Sequence, residues 1–225
     1  REQISKDLKD IGLIEKIEDY EHNIARCDRC NSVIEPIPSK QWFLKMKELA
    51  ALAIKALKKK ETIIYPKKWE HVLLDRLKNE RDWNISRQLW WGHKIPLEGE
   101  TDVLDTWFSS ALWPFATLGW PQKTDDLKKY YPTDFITSAR EILNIWIAKM
   151  IFSGLELTGK SPFKAVYIHG TILTKDGKRM SKSLGTGIDP LILIDKYGAD
   201  AVRFGLMYQN LGNQDMRFSE DAMRT

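Results

Sequence analysis

The chain has 225 residues and a formal net charge of +4, with 43% hydrophobic and 29% charged residues. That composition is globular and excludes a disordered chain; two cysteines exclude a disulfide scaffold, and no apolar run reaches the length of a membrane span. The mild positive charge permits RNA or a phosphate-bearing ligand without requiring one, and with no signal peptide a cytoplasmic protein with neither a membrane nor a DNA partner is expected.

In chain order, Ile4, Leu8, Ile11 and Ile14 recur at helical spacing and predict a helix over 2–19 around Gly12. A loop follows over 20–38. Ser39 is a candidate N-cap for a long amphipathic helix whose apolar stripe is Trp42, Met46, Leu49, Ala53 and Leu57, closed by Lys58, Lys59 and Lys60 at its negative end. Pro66 opens a second helix with Trp69, Val72, Leu73, Arg76 and Leu77 on one side. Residues 90–97 read as extended, and 105–120 are dense in Trp and Phe. A short strand over 134–137 leads into a strong helical pattern over 141–157, ended by Gly159. A strand over 165–169, a Gly- and Lys-rich loop over 175–187, and helices over 190–197 and 199–208 complete the chain. Strand, helix, strand, helix predicts an α/β fold with a parallel sheet and crossover helices. The chain opens on Arg1 and closes within a helix-like stretch, so a piece of a longer protein is expected.

The loop carries the chemistry. Lys178, Arg179 and Lys182, with the hydroxyls of Ser181 and Ser183, fall within six positions, between glycines at 177 and 185. Mobile cations and hydroxyls of this kind can close over a polyphosphate. The spacing is not that of a P-loop, and composition alone reads as a solvated surface loop. Cys27-Asp28-Arg29-Cys30 is half of a zinc ribbon. A four-ligand site needs two more donors and no second pair exists, with His22 the nearest further donor, so no zinc is expected here.

The order of residues says more than composition. Met180-Ser181-Lys182-Ser183, after His169-Gly170 and before Ile188-Asp189-Pro190, resembles the K-M-S-K-S loop of class I aminoacyl-tRNA synthetases. Residues 195–204 resemble the helix pair that follows it in the Ile/Leu/Val/Met subgroup. Residues 85–96 and 102–115 are similar to the valine-specific members, and 33–36 with 41–43 resemble the exit from their editing domain. The resemblance implies the second half of a Rossmann-like catalytic sheet. It divides the chain into a segment after the editing domain (1–38), connective helices and an aromatic-rich segment (39–130), the half-sheet with its loop (131–210) and the start of a link to the anticodon-binding domain (211–225). Family members carry a cysteine-bearing insertion between the segments matching Pro96 and Asp102, where only 97–101 stand here.

The resemblance also implies substrates and roles: ATP with Mg2+, valine, and tRNA(Val). Lys182 is then the principal catalytic cation, with Arg179 where the motif has its first Lys and Ser181 beside it. Lys178, Met180 and Ser183 belong to the same ATP-binding loop. His169 and Gly170, at a strand end, fall near the adenine. Glu141 falls where the family has an Asp that accepts from ribose hydroxyls or the substrate ammonium; on physical grounds alone it equally suits a helix N-terminus. Trp107 and Trp146 align with aromatics that wall the amino-acid side chain, although Ile142, Ile145, Trp146 and Met150 also fit a helix core. The H-I-G-H motif of the family is not in the sequence, so this chain alone is not expected to activate valine efficiently. The alternatives are an isoleucine or leucine enzyme, or a non-catalytic nucleotide- or RNA-binding module.

Overall fold

The structure is a computed structural model and describes residues 2–27, 30–181, 185–210, 212 and 214–224. The chain divides into two compact units, Arg1–Lys40 and Gln41–Thr225. In the first, helix α1 (Glu2–Asp10) is shorter than the periodicity predicts. Gly12 stops it: its φ of 69° is left-handed, and the Leu13 amide turns back to the Leu8 carbonyl at 2.9 Å. None of the described residues in 2–40 is buried, so this unit has no core of its own.

The second unit starts with an exchange of helix for strand. The predicted helix from Ser39 begins instead at Lys47, as α2 (Lys47–Lys58). Residues 42–44 are drawn off into β1 (Phe43–Leu44), which faces Trp83 and Asn84 in antiparallel register. The Trp42 amide donates to Ser86 Oγ at 2.9 Å and its carbonyl accepts from Ile85, so Trp42 leaves the stripe and is 43% exposed. Met46, Ala53 and Leu57 are fully buried. After β2 (Ile63–Tyr65), helix α3 (Lys67–Lys78) starts at Pro66 and buries Leu73 and Leu77, while Val72 faces out.

Two short pairs follow: β3 (Trp83–Asn84) with β1, and β4 (Ser86–Arg87) with β5 (Val103–Leu104). The extended reading of 90–97 holds only around Lys94, which bridges Val103 in antiparallel; 90–92 and 96–97 bend, with Trp90 and Trp91 98% and 91% exposed. The short joint over 97–101 closes a tight turn, since Ile95 donates to the Asp102 carbonyl at 3.1 Å and Leu104 to that of His93 at 2.7 Å. The aromatic-rich stretch folds into α4 (Thr106–Ser110), α5 (Trp113–Ala116) and, after a loop, α6 (Asp125–Tyr130).

The central sheet is parallel throughout. Strand β6 (Thr133–Ala139) pairs with β7 (Phe163–His169), which pairs on its other side with β2, giving the order β2-β7-β6. The connection from β6 to β7 is not the single helix that the pattern over 141–157 predicts. It is a 3-10 turn (Arg140–Ile142), a π-helical turn (Leu143–Ala148) and α7 (Lys149–Thr158). A π turn fits one more residue per turn. Leu143, Ile147 and Ala148 are thereby buried together while Trp146 stays at the surface of the core. Helices α2 and α7 pack on each other and, with α3, enclose Ile64, Ile151, Val166 and Ile168, all at most 1% exposed. Each such side chain contributes about 1.5–3 kcal/mol by leaving water.

A second, smaller core forms at the C-terminal side. Strand β8 (Ile172–Leu173) pairs in parallel with β9 (Met216–Arg217), across α8 (Pro190–Tyr197) and α9 (Ala199–Gln209). Leu193, Val202, Phe218 and Met223 fill it.

Candidate active site

The carboxyl ends of β6 and β7 lie side by side, with Ala139 opposite His169. In open parallel sheets that edge is where ligands bind. Glu141 follows two residues after β6 and is exposed. Its neighbour Arg140 reaches across the edge to Asp215, with N–O distances of 3.0 and 2.8 Å. Asp215 also accepts from the Thr171 amide at 3.0 Å. That amide, and then Arg140, hold the Asp215 carboxyl below its ordinary range. One carboxylate therefore ties the end of β6 to the loop after β7.

His169 is exposed, and its Nδ1 lies 2.8 Å from the Gly170 carbonyl. A carbonyl only accepts, so Nδ1 is the donor in this contact. Gly170 is required by a close approach: a Cβ there would run into the backbone carbonyl of Gln214. Both residues, with Tyr167, Met207 and Met216, line a cavity of about 240 Å³.

The cationic loop begins as a hairpin. Leu173 bridges Arg179, Thr174 donates to the Lys178 carbonyl at 2.7 Å, and Lys178 returns a bond to Thr174 Oγ1 at 3.0 Å. Thr186 fastens the other end: its hydroxyl accepts from the Ser181 amide at 3.0 Å and its amide donates to the Ser181 carbonyl at 3.1 Å. Lys182 and Ser183 lie outside the described residues. Met180 packs against the C-terminal core of Leu193 and Val202. It therefore anchors the loop to α8 and α9.

Trp107 and Trp146, 39 positions apart in sequence, line one pocket of about 270 Å³ with Ser110, Trp113 and Ile142. Trp146 and Trp107 also pack against the main core. Trp146 Nε1 donates to the Ser110 carbonyl at 3.3 Å. Ile142 places this pocket one residue from Glu141. Trp107 is held by Asp105, the N-cap of α4, whose Oδ1 accepts from the Trp107 amide at 3.0 Å. Asp105 Oδ2 accepts from Trp83 Nε1 at 2.9 Å and from Arg87 Nη2 at 2.6 Å. The sequence reading missed Asp105, although Asp before a helix start is an N-cap signal. It also missed the Arg140–Asp215 pair, which no local pattern announces across 75 positions.

In the first unit, Cys27 and Cys30 sit on a turn in which Asn31 donates to the Cys27 carbonyl at 2.9 Å. Cys30 Sγ lies 3.4 Å from Ser32 Oγ, and hydrogen bonding by Ser32, side chain first, lowers the thiol to about 7. Among the described residues no group of three His, Cys, Asp or Glu side chains gathers that could hold a metal ion. No helix among them is long and apolar enough to cross a membrane.

The family described as tRNA synthetases class I (I, L, M and V) matches residues 4–99 and 96–219. The chain is 47% identical to a valine–tRNA ligase of Clostridium tetani, over 100% of this chain and 29% of the relative. It is 45% identical to that of Bacillus subtilis, over 100% and 28%. The chain thus spans less than a third of the length of these relatives. The Clostridium tetani alignment runs over 252 residues against 225 here, so the relative carries segments that this chain does not. Among solved structures, methionyl-tRNA synthetase of Mycobacterium tuberculosis bound by methionyl-adenylate superposes with a TM-score of 0.74 at 19% identity, covering 89% of this chain and 39% of that one. At that identity the likeness is one of fold. On sequence and architecture together, the chain belongs to the class I tRNA synthetases of the I, L, M and V group.

Proposed function

We propose that this chain is part of a valine–tRNA ligase and supplies one side of its aminoacylation site. The observation that carries the reading is the pocket: two indoles, from α4 and from the π turn, line it together with Ile142, the residue after Glu141, past the carboxyl end of β6. The identity to valine–tRNA ligases along the whole chain supports it. In this reading Trp107 and Trp146 flank the two methyl groups of valine, and Glu141 accepts from its ammonium or from the ribose hydroxyls. His169 and Gly170 border the adenine, with the histidine ring held through its Nδ1 contact to the Gly170 carbonyl.

The valine carboxylate attacks the α-phosphorus of ATP and pyrophosphate leaves, with Mg2+ entering as the counter-ion of the nucleotide. Negative charge grows on the leaving group. Lys182 and Arg179 stabilise that charge, with Lys178, Met180, Ser181 and Ser183 forming the loop that brings them in. Arg179 in place of a lysine keeps the charge and adds a two-pronged donor. The adenylate then passes valine to the end of tRNA(Val). An apolar pocket excludes isoleucine by size but rejects threonine weakly, because a hydroxyl is nearly isosteric with a methyl. The segment boundaries at 38, 130 and 210 belong to the same proposal.

The test is valine-dependent ATP–pyrophosphate exchange by the complete gene product that carries this chain. Exchange should be selective for valine over isoleucine and leucine, and Lys182→Ala should lower kcat by about 100-fold or more, the scale of one lost transition-state charge contact. The 225-residue chain alone should show background exchange only. Preference for isoleucine or leucine, or full exchange by the chain alone, would refute the reading.

A further inference from the structure

Lys149 is the one lysine among the described residues classed as buried, at 6% exposure, and no step above uses it. It opens α7, three residues after Trp146. Its ammonium sits 3.2 Å from the centroid of the Trp83 ring, close enough for a strong cation–π contact with little water between. The same indole donates to Asp105 Oδ2, and Asp105 Oδ1 holds the Trp107 amide. A continuous set of contacts therefore runs from the turn that carries Trp146 to the helix that carries Trp107.

We propose that Lys149 is a positioning residue that fixes the separation of the Trp107 and Trp146 walls and so sets the fit of the amino-acid pocket. The proposal deepens the reading of that pocket as the valine site and rests on it. Three arguments support it. First, a buried ammonium is expensive, and a methylene chain would fill the space without that cost. Second, the cluster around it is polar but directional: Asp105, 6% exposed, takes three donors, from Trp83, Arg87 and Trp107, and each fixes its carboxylate in one orientation. Third, beside the Trp146 Nε1 bond to the Ser110 carbonyl, Lys149 gives a second tie, from the Trp83–Asp105 cluster to the segment that directly follows the π turn. The charged groups that face it are Glu80 and Asp105, which favour the ammonium, and Arg87, which opposes it. Desolvation outweighs them and pulls Lys149 down to about 8.

The test has two arms. In the chain labelled with 5-fluorotryptophan, Lys149→Met should shift the Trp107 resonance as well as that of Trp83, and Lys149→Arg should return both, because a guanidinium stacks on indole and keeps the charge. A Trp107 resonance that does not move in Lys149→Met overturns the proposal whether or not the protein activates valine. In the complete gene product, Lys149→Met should raise KM for valine about tenfold with kcat within about twofold, since a displaced wall removes uniform binding, and Lys149→Arg should restore KM. A fall in kcat at unchanged KM overturns it. A wild-type protein with no valine-dependent exchange refutes the functional reading instead, and the fluorine arm then decides this one. If Lys149→Met fails to fold, Lys149→Gln takes its place: it removes the charge over Trp83 and leaves Asp105, with its bonds to Trp83 and Trp107, unsubstituted. It too should move the Trp107 resonance, and an unmoved one overturns the proposal.

Discussion

Asp105 concentrates more of the site's geometry than any residue singled out by its chemistry. It caps α4, orients Trp83 and pairs with Arg87 at 2.6 Å, all from a buried position. Replacing it by Ala leaves the Trp83 and Arg87 donors without their acceptor, and Asp105→Ala should lower stability by about 3 kcal/mol, read as a shift in the urea midpoint at constant slope. Lys149 gives a pH prediction with a definite sign. Its folded value of about 8 lies below the ordinary 10.5 of a lysine. Below pH 8 both folded and unfolded states hold the proton, and the burial cost is fully present. Between about 8 and 10.5 only the unfolded state holds it, so stability rises with pH across that window. Wild-type chain should therefore gain stability relative to Lys149→Met from pH 8 to 10, measured by urea unfolding; a constant difference across that range would contradict the assignment.

At the scale of elements, the candidate site is made by segments that meet at their ends. The Arg140–Asp215 pair and the Thr171 amide join β6 to the segment before β9, and Gly170 lets the 214–215 backbone pass. Gly170→Ala forces that backbone away and should cost about 1–3 kcal/mol, with a lower Tm as the readout. Helical periodicity predicts α3, α8 and α9 well, with α8 as Pro190–Tyr197, because each has an apolar face and a Pro or Gly at its start. It fails at 39–46 and at 141–148. Around Trp42 the ladder with 83–86 wins over helical propensity, because its partners lie 39 to 44 positions away. At 141–148 apolar residues at nearly every position fit a helix, and the pattern does not reveal that the turn widens.

Over the whole molecule, the packed core and the site belong to residues 41–225, and 2–40 contribute no buried residue among those described. A chain beginning at Gln41 should keep the near-UV circular dichroism and Tm of the full chain within a few degrees; loss of either would show that the first unit supports the second. The two family matches meet at 96–99, at the tight turn over 97–101. There the fold accepts a short joint because His93 and Leu104 already face each other.

The sequence by itself determined the family and the parallel α/β class, and it named the candidate side chains of the proposed site. Those depend on ordered motifs and on local periodicity, which survive in one dimension. The order of the loop residues from Lys178 to Ser181 and the strand end at His169-Gly170 were legible for that reason. Only the tertiary structure decided which of these residues meet. Trp107, on α4, and Trp146, on the π turn, line one pocket although 39 positions separate them. Asp215 reaches Arg140, and Lys149 reaches Trp83, through contacts between segments distant in sequence. Such contacts depend on the packing of α2, α3 and α7 on the sheet, and no spacing along the chain encodes them.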